Sequence, residues 1–355
     1  MVRVAILGQG RSGHSIHGAH LLKNREKFQV VAICDRIQER REKRAAAFDC
    51  EAIDDYKKLL DRKDIDLILN CLPSPYHCPV TLEFLAKGFR VLTEKPMAPT
   101  AADAQKMMDV GGDRLYVFQQ SRLAPYYQKI KEVIASGVLG RLVSVNIRFN
   151  GFARRWDWQC VQKNVAGSLF NTGPHPVDQA LDTLGFECDP QVWCRMDRAL
   201  TFGDAEDYVK LLLTAPGKPV VDLEISSADA FPSGTYNIQG TQGGLWASTS
   251  EVKWKYFDPA SAPEQKLIST PLTTPEGEPA YCGEKLEMLE GHWVAGAGEN
   301  PFEAAVASYY REMYDHITQG KPMTVQPWQV KKQIAVIEEC HRQNPLSRMY
   351  EEATV

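Results

Sequence analysis

A chain of 355 residues is too long for one ordinary domain and suits two, each large enough to bury its own core. Its formal net charge of −4 is spread along the chain without basic stripes or charged tails, so nothing marks a nucleic-acid partner. No apolar run is long enough to cross a bilayer, and the first residues run straight into a strand pattern, so the expectation is a cytoplasmic protein with no membrane partner.

From residue 1 to about 120, short apolar runs alternate with helical stretches, the pattern of a parallel sheet with crossover helices. Strands are expected at 2–7, 29–34, 67–71, 90–93 and 116–118, and helices near 12–24, 37–48, 54–61, 76–87 and 100–110. A linking helix near 125–136 follows, and then the period changes to two. Val143, Val145, Ile147 and Phe149 alternate with Ser144, Asn146 and Arg148, giving a strand with one apolar and one polar face. Further alternating runs at 208–214, 219–226, 236–240, 244–250 and 252–257, with Thr241-Gln242-Gly243 as a turn, predict a largely antiparallel sheet with helices on one side. The closing helices are expected at 302–319, stopped by Gly320, and at 327–341. Between them and the last strand, 258–301 is rich in Pro and Gly without clear periodicity, too long for an ordinary connection, and reads as a lid or a subunit contact. The nine cysteines form no C-x-x-C pair, and Cys34, Cys71, Cys160 and Cys194 lie among apolar neighbours, which reads as reduced core thiols and no metal site.

Directly after the first strand stands Gly8-Gln9-Gly10-Arg11-Ser12-Gly13, and the residues beyond it can open a helix. Strand, glycine triplet and helix together make a dinucleotide fingerprint. Gly8 permits the turn, Gly10 lets a pyrophosphate approach the backbone, Gly13 lets helix and strand pack, and Arg11 and Ser12 stand at the positive helix end. Asp35 ends the second strand, where a carboxylate accepts ribose hydroxyls and repels a 2'-phosphate; Arg36 beside it could accept one, so NAD is the expected cofactor with NADP possible. His14, His17 and His20, spaced by three, drift by about 60° per step round an α-helix and do not converge on a metal. The expected fold is α/β: a Rossmann doubly wound parallel sheet over 1–121, then an α+β domain with a large, mainly antiparallel sheet over 122–355, serving substrate binding and oligomerisation.

The carboxyl ends of two later strands carry Pro73-Ser74-Pro75-Tyr76-His77 and Glu94-Lys95-Pro96, and further on Gly167-Ser168-Leu169-Phe170-Asn171-Thr172-Gly173-Pro174-His175 leads into a helix that Asn171 or Thr172 could cap and Gly185 ends. With the glycine loop at 8–13, these resemble the Gfo/Idh/MocA family, named for glucose-fructose oxidoreductase and inositol dehydrogenase, in the right order over most of the chain. The resemblance implies that Pro73, Ser74, His77, Glu94 and Lys95 border the cofactor, that Lys95 sits beside nicotinamide and the reacting alcohol, that Lys95-Pro96 is a cis peptide, and that His175 is catalytic. An ammonium there can stabilise developing alkoxide, and a histidine in the first turn of a helix is favoured neutral, able to take a proton. Asp178, one turn on, either orients His175 or faces solvent. Asn171 departs from the family, in which Asp is usual; it cannot carry charge but can hydrogen-bond a hydroxyl. Trp156, Trp158 and Arg155, in a loop running from Phe152, suit a polyhydroxylated ring, the alternative being that the indoles only pack the domains, and Arg122 is a further substrate candidate at the domain junction.

The leading expectation is an NAD-dependent dehydrogenase acting on a secondary alcohol of a sugar, sugar derivative or cyclitol, assembled as a homodimer or homotetramer. Two other classes stay open: a glycoside hydrolase or lyase that oxidises its sugar transiently and recycles the cofactor, and a non-catalytic dinucleotide sensor.

Overall fold

The computed structural model describes residues 1–350, so 351–355, the end of the expected second domain, lie outside the described residues. Six strands come first: β1 (Val2–Leu7), β2 (Phe28–Cys34), β3 (Glu51–Ile53), β4 (Leu67–Asn70), β5 (Arg90–Thr93) and β6 (Leu115–Val117). They pair in parallel in the order β3-β2-β1-β4-β5-β6. The order reverses between β1 and β4, and such a reversal opens a crevice at the carboxyl ends of the strands. Helices on both faces explain why β4 is buried at every position and reads as a continuous apolar run.

The second sheet is built from β7 (Leu142–Asn150), β8 (Gln191–Asp197), β9 (Tyr208–Thr214), β10 (Val220–Ser226), β11 (Tyr236–Gly240), β12 (Gly243–Ala247) and β13 (Glu251–Tyr256). After a small hairpin whose strands, β14 (Leu272–Thr273) and β15 (Pro279–Ala280), are two residues each, β16 (Leu289–Val294) completes it. The order is β16-β13-β12-β11-β7-β10-β9-β8, antiparallel at every pairing except β7 with β10. Helices Pro125–Ala135, Pro174–Leu184 and Pro327–Gln343 bring Ile130, Leu181 and Ile337 onto one face, against Val145, Ile147, Leu211 and Leu223.

Three local expectations change. The helix expected at 54–61 is a single 3-10 turn, Tyr56–Leu59, because the Asp55 side chain accepts the Lys57 N–H and sets a turn in place of a helical ladder. The strand expected at 244–250 stops at Ala247, where Ser248 Oγ accepts the N–H groups of Ser250 and Glu251 and reverses the chain. The stretch 258–301 holds an edge strand, β16, as well as loop.

The helix Pro301–Gln319 returns to the first domain. Val306, Tyr309, Tyr310 and Met313 form an i, i+3, i+4, i+7 stripe buried in the core of the parallel sheet, each contributing roughly 1.5–3 kcal/mol of apolar burial. Asn300 caps its start through the Phe302 and Glu303 N–H groups, and Gly320, left-handed at φ 71°, ends it. The Tyr309 hydroxyl donates to the Val117 carbonyl at the end of β6 (2.7 Å), so the return is fixed by a buried polar contact as well. All nine cysteines are unpaired thiols, with Cys34, Cys71, Cys160 and Cys194 buried. Among the described residues no helix is long and apolar enough to cross a membrane, and no cluster of three metal-ligating side chains occurs.

Candidate active site

The three glycines after β1 do different work. Gly8 has φ 84°, and a Cβ there would stand 2.6 Å from the Cys71 carbonyl oxygen; at Gly13 a Cβ would meet the Gly8 carbonyl oxygen at 1.9 Å. Around Gly10 nothing lies within 4 Å, so its missing side chain leaves an open approach to the backbone. Arg11 and Ser12 begin the helix, whose first turn, Ser12–His17, is π-helical before it tightens to an α-helix at Gly18–Lys23. Asp35 follows β2 and is buried; one carboxylate oxygen accepts the Gln9 N–H (2.6 Å), the other the Ile37 N–H (2.8 Å). Each oxygen keeps a lone pair, and the carboxylate is tied to the glycine loop. Arg36 is exposed. An open backbone at Gly10, a helix start beside it and an anchored carboxylate fit the pyrophosphate and ribose of a dinucleotide. Two substitutions separate the roles. Gly13→Ala is expected to destabilise the fold by about 1–3 kcal/mol or more, because its clash is with backbone. Gly10→Ala should keep its melting temperature and lose dinucleotide affinity; thermal melts and a binding titration on both variants check this.

At the end of β4, Asn70 is fully buried and donates to the His77 carbonyl (3.1 Å) and to Thr81 Oγ1 (3.0 Å), shaping the turn that carries Pro73 and Ser74, both half-buried. His77, expected at the cofactor, is committed to protein: its ring nitrogens lie 2.8 Å from the Pro96 carbonyl and 2.7 Å from the Leu72 carbonyl. It joins the loop after β4 to the loop after β5, so its part in a cofactor site is indirect. Burial lowers its pKa, against the two carbonyls and Glu94.

Glu94 is buried at the end of β5. Its Oε2 accepts the Lys95 N–H (3.1 Å) and its Oε1 lies 3.1 Å from His17 Nε2, while His17 Nδ1 meets the Tyr310 hydroxyl at 2.6 Å. Burial alone would raise the Glu94 carboxyl, but the His17 hydrogen bond and the charges of His17 and Lys95 prevail and hold it at about 2. The sequence reading placed His17 on a regular α-helix with no assigned role; the π-helical turn directs it onto Glu94. Lys95-Pro96 is cis, as the resemblance implied. Lys95, partly buried, has its pKa lowered by desolvation, with Glu94 opposing and Arg11 and Arg155 adding to the fall. The charges of Arg11 from the glycine loop and Arg155 from the second domain therefore both bear on Lys95.

The second domain closes the site. Lys95 Nζ donates to the main-chain carbonyl of Asn171 (2.8 Å), and the Asn171 side-chain oxygen accepts from Gln159 Nε2 (3.2 Å). Gln159 Oε1 in turn accepts from Arg155, which also chelates Asp157. The loop from Phe152 is thus wired to Asn171, a link through Gln159 that no sequence pattern marked. Trp156 is 79% exposed, so it does not pack the domains; Trp158 is half-buried and starts a 3-10 turn. His175, in the first turn of Pro174–Leu184, has a buried Nδ1 with no hydrogen-bond partner, and desolvation followed by the Lys95 charge pushes its pKa down to about 3, leaving a neutral imidazole.

Arg122 is not brought to this cleft. It is 1% exposed, holds the fully buried Asp178 by Nε (2.8 Å) and Nη2 (2.5 Å), donates to the Thr324 carbonyl and to Gln329, and lies over the Phe186 ring. Every direction in which it could reach a substrate is taken by protein. For the same reason Asp178 neither orients His175 nor faces solvent.

The family model for the oxidoreductase family with an NAD-binding Rossmann fold, Gfo/Idh/MocA, matches residues 2–113, and that for the C-terminal domain of the same family matches 127–246. The chain belongs to the Gfo/Idh/MocA family. Among its relatives are an uncharacterized oxidoreductase of Schizosaccharomyces pombe, 28% identical over 68% of this chain and 69% of that one, and D-glucoside 3-dehydrogenase of Escherichia coli, 28% identical over 52% and 54%. A dehydrogenase from Bordetella pertussis, solved in complex with NADH and UDP-GlcNAcA, has the same fold at a TM-score of 0.75 and 17% identity, over 97% of this chain and 95% of that one.

Proposed function

We propose that this Gfo/Idh/MocA protein is an NAD-dependent dehydrogenase that transfers hydride between nicotinamide and a secondary alcohol of a sugar, sugar derivative or cyclitol. The observation that carries the reading is that Lys95, reaching from the parallel sheet to the Asn171 carbonyl, acts by its charge on a neutral His175 whose Nδ1 has no protein partner. The names of relatives that act on a D-glucoside and on scyllo-inositol support the substrate class. Nicotinamide, when bound, supplies the hydride acceptor. Lys95 holds the alcohol oxygen and stabilises negative charge developing on it, and His175 accepts the hydroxyl proton at a ring nitrogen. Asn171 and Gln159 offer neutral hydrogen bonds to neighbouring hydroxyls, and Arg155, bonded to Gln159, and the exposed Trp156 lie on the loop wired to them. The outward face of the second sheet, with Trp193 and Val220 exposed, supports a homodimer or homotetramer.

The test is NADH formation, followed by absorbance, against a panel of sugars, glycosides and inositols. NADH is expected to accumulate one for one with an oxidised product; product formed with only trace NAD would point to cofactor recycling, and no turnover of any member would reject the reading. Asp35→Ala should weaken NAD binding about 10- to 100-fold and erase the preference over NADP, since it removes hydrogen bonds to a charged acceptor. Dissociation constants for both dinucleotides measure it.

A further inference from the structure

Beneath the turn that carries Asn171 lies a buried acid that the reaction above does not use. Glu206, 2% exposed, precedes β9. Its Oε1 accepts the Leu169 N–H (2.8 Å), and its own carbonyl accepts the Ser168 N–H (2.9 Å). Gly167, at φ 102°, makes the close approach possible: a Cβ there would stand 2.4 Å from Glu206 Oε2 and 2.5 Å from Oε1. The far oxygen, Oε2, takes no hydrogen bond and faces His341 Nε2 at 3.7 Å. His341 is fixed from the helix Pro327–Gln343 by Nδ1 against the Ile337 carbonyl (2.9 Å), and the Phe170 ring stacks on it at 4.8 Å. The backbone at Ser168 and Leu169 is therefore held from below by Glu206, while His341 packs against the Phe170 side chain. One residue beyond Leu169 and Phe170, the Asn171 carbonyl receives Lys95.

We propose that Glu206 is a positioning residue for Lys95: by accepting the Leu169 N–H in the space left by Gly167, it fixes the Asn171 carbonyl at the height where it holds the lysine ammonium. The role in turnover rests on the dehydrogenase reading; the geometric claim does not. A carbonyl that accepts a hydrogen bond from the charged ammonium favours that form, against the burial that disfavours it. When the turn relaxes, the ammonium loses its acceptor and Lys95 deprotonates at lower pH.

The side-chain geometry separates positioning from charge. In Glu206→Gln the amide oxygen still accepts from Leu169, and with the carboxylate that raises the His341 pKa gone, the neutral ring, its proton on Nδ1 against the Ile337 carbonyl, offers Nε2 to the amide N–H. In Glu206→Asp the charge stays but the side chain is one methylene too short to reach Leu169. The experiment is competitive acylation of the intact chain with acetic anhydride across pH, reading Lys95 by peptide mass spectrometry; it needs neither substrate nor turnover. The Lys95 titration midpoint is expected to fall by about half a pH unit or more in Glu206→Asp and Glu206→Ala, and to stay within about 0.2 unit of wild type in Glu206→Gln. Should Glu206→Ala not fold, the Asp and Gln variants decide. A shift in Gln but not Asp would mean that charge matters, and unchanged or equal midpoints in the two would mean that the carboxylate only stabilises the domain; each overturns the proposal. Failure to find any oxidisable sugar leaves this measurement intact, so the two readings fail separately.

Discussion

Replacing Lys95 by Met should lower kcat/KM for the alcohol by about a hundred- to a thousand-fold, the cost of removing one charged group aimed at developing oxyanion charge in a water-poor site. The affinity for NAD should change only a few-fold, because the open backbone at Gly10 and the Asp35 carboxylate, the proposed pyrophosphate and ribose contacts, are untouched. Stability should hold as well: Lys95 Nζ makes a single hydrogen bond, to the Asn171 carbonyl, and Met fills a similar volume. The pH profile adds a second check. His175 is pushed to about 3, so it stays neutral far below the ordinary histidine range, and no acid limb near pH 6.5 is expected from it. Steady-state kinetics with a binding titration decides the matter. A Lys95→Met enzyme with wild-type kcat/KM would remove Lys95 from the chemistry, and a loss confined to NAD affinity would make it a cofactor ligand only.

The parts of the molecule that could be read from the chain are those whose cause is local. Gly8, Gly10 and Gly13 follow an apolar strand and precede a helix, and the packing that makes Gly13 obligatory involves Gly8, five positions away. The second sheet declared itself where one face is apolar, as in β7 and β9. β8 did not, because Trp193 on its outward face stands between Val192 and Cys194 and hides the alternation; β3 and β16, exposed at sheet edges, carry little apolar pattern at all. Within the site, Lys95 and His175 stood out by their motifs. Their supports did not: His17 reaches Glu94 from a π-helical turn that an α-helical spacing does not anticipate, and Gln159, Glu206 and Tyr310 act across separations that no spacing rule covers. Arg122 shows the opposite error. A cation at a domain junction resembles a substrate anchor until the carboxylate 56 residues away is seen to hold it.

That pair carries the largest stability effect expected. Arg122 lies in the turn Gln120–Leu123 after β6, Asp178 on the helix that begins next to His175, and the Thr324 carbonyl and Gln329 at the start of the closing helix; the guanidinium gathers all three segments at one buried point. Burial pushes the Asp178 carboxyl up by more than Arg122 pulls it down, so its pKa is raised, whereas on Arg122 the charge and hydrogen bond of Asp178 outweigh burial and favour the charged form. The attraction therefore offsets the cost of desolvation without clearly exceeding it, while each charge depends on the other to be tolerated. Removing one partner, by Asp178→Leu or Arg122→Met, should cost about 3–5 kcal/mol, because the survivor is left charged and unpaired in the interior. Replacing both, as Arg122→Met with Asp178→Leu, should be milder than either single change, which no sum of independent contacts allows. Denaturant unfolding of the four proteins completes the cycle. Single variants within about 1 kcal/mol of wild type would mean that water reaches the junction, and a double variant as unstable as the sum of the singles would mean that neither charge depends on the other, which overturns the coupling.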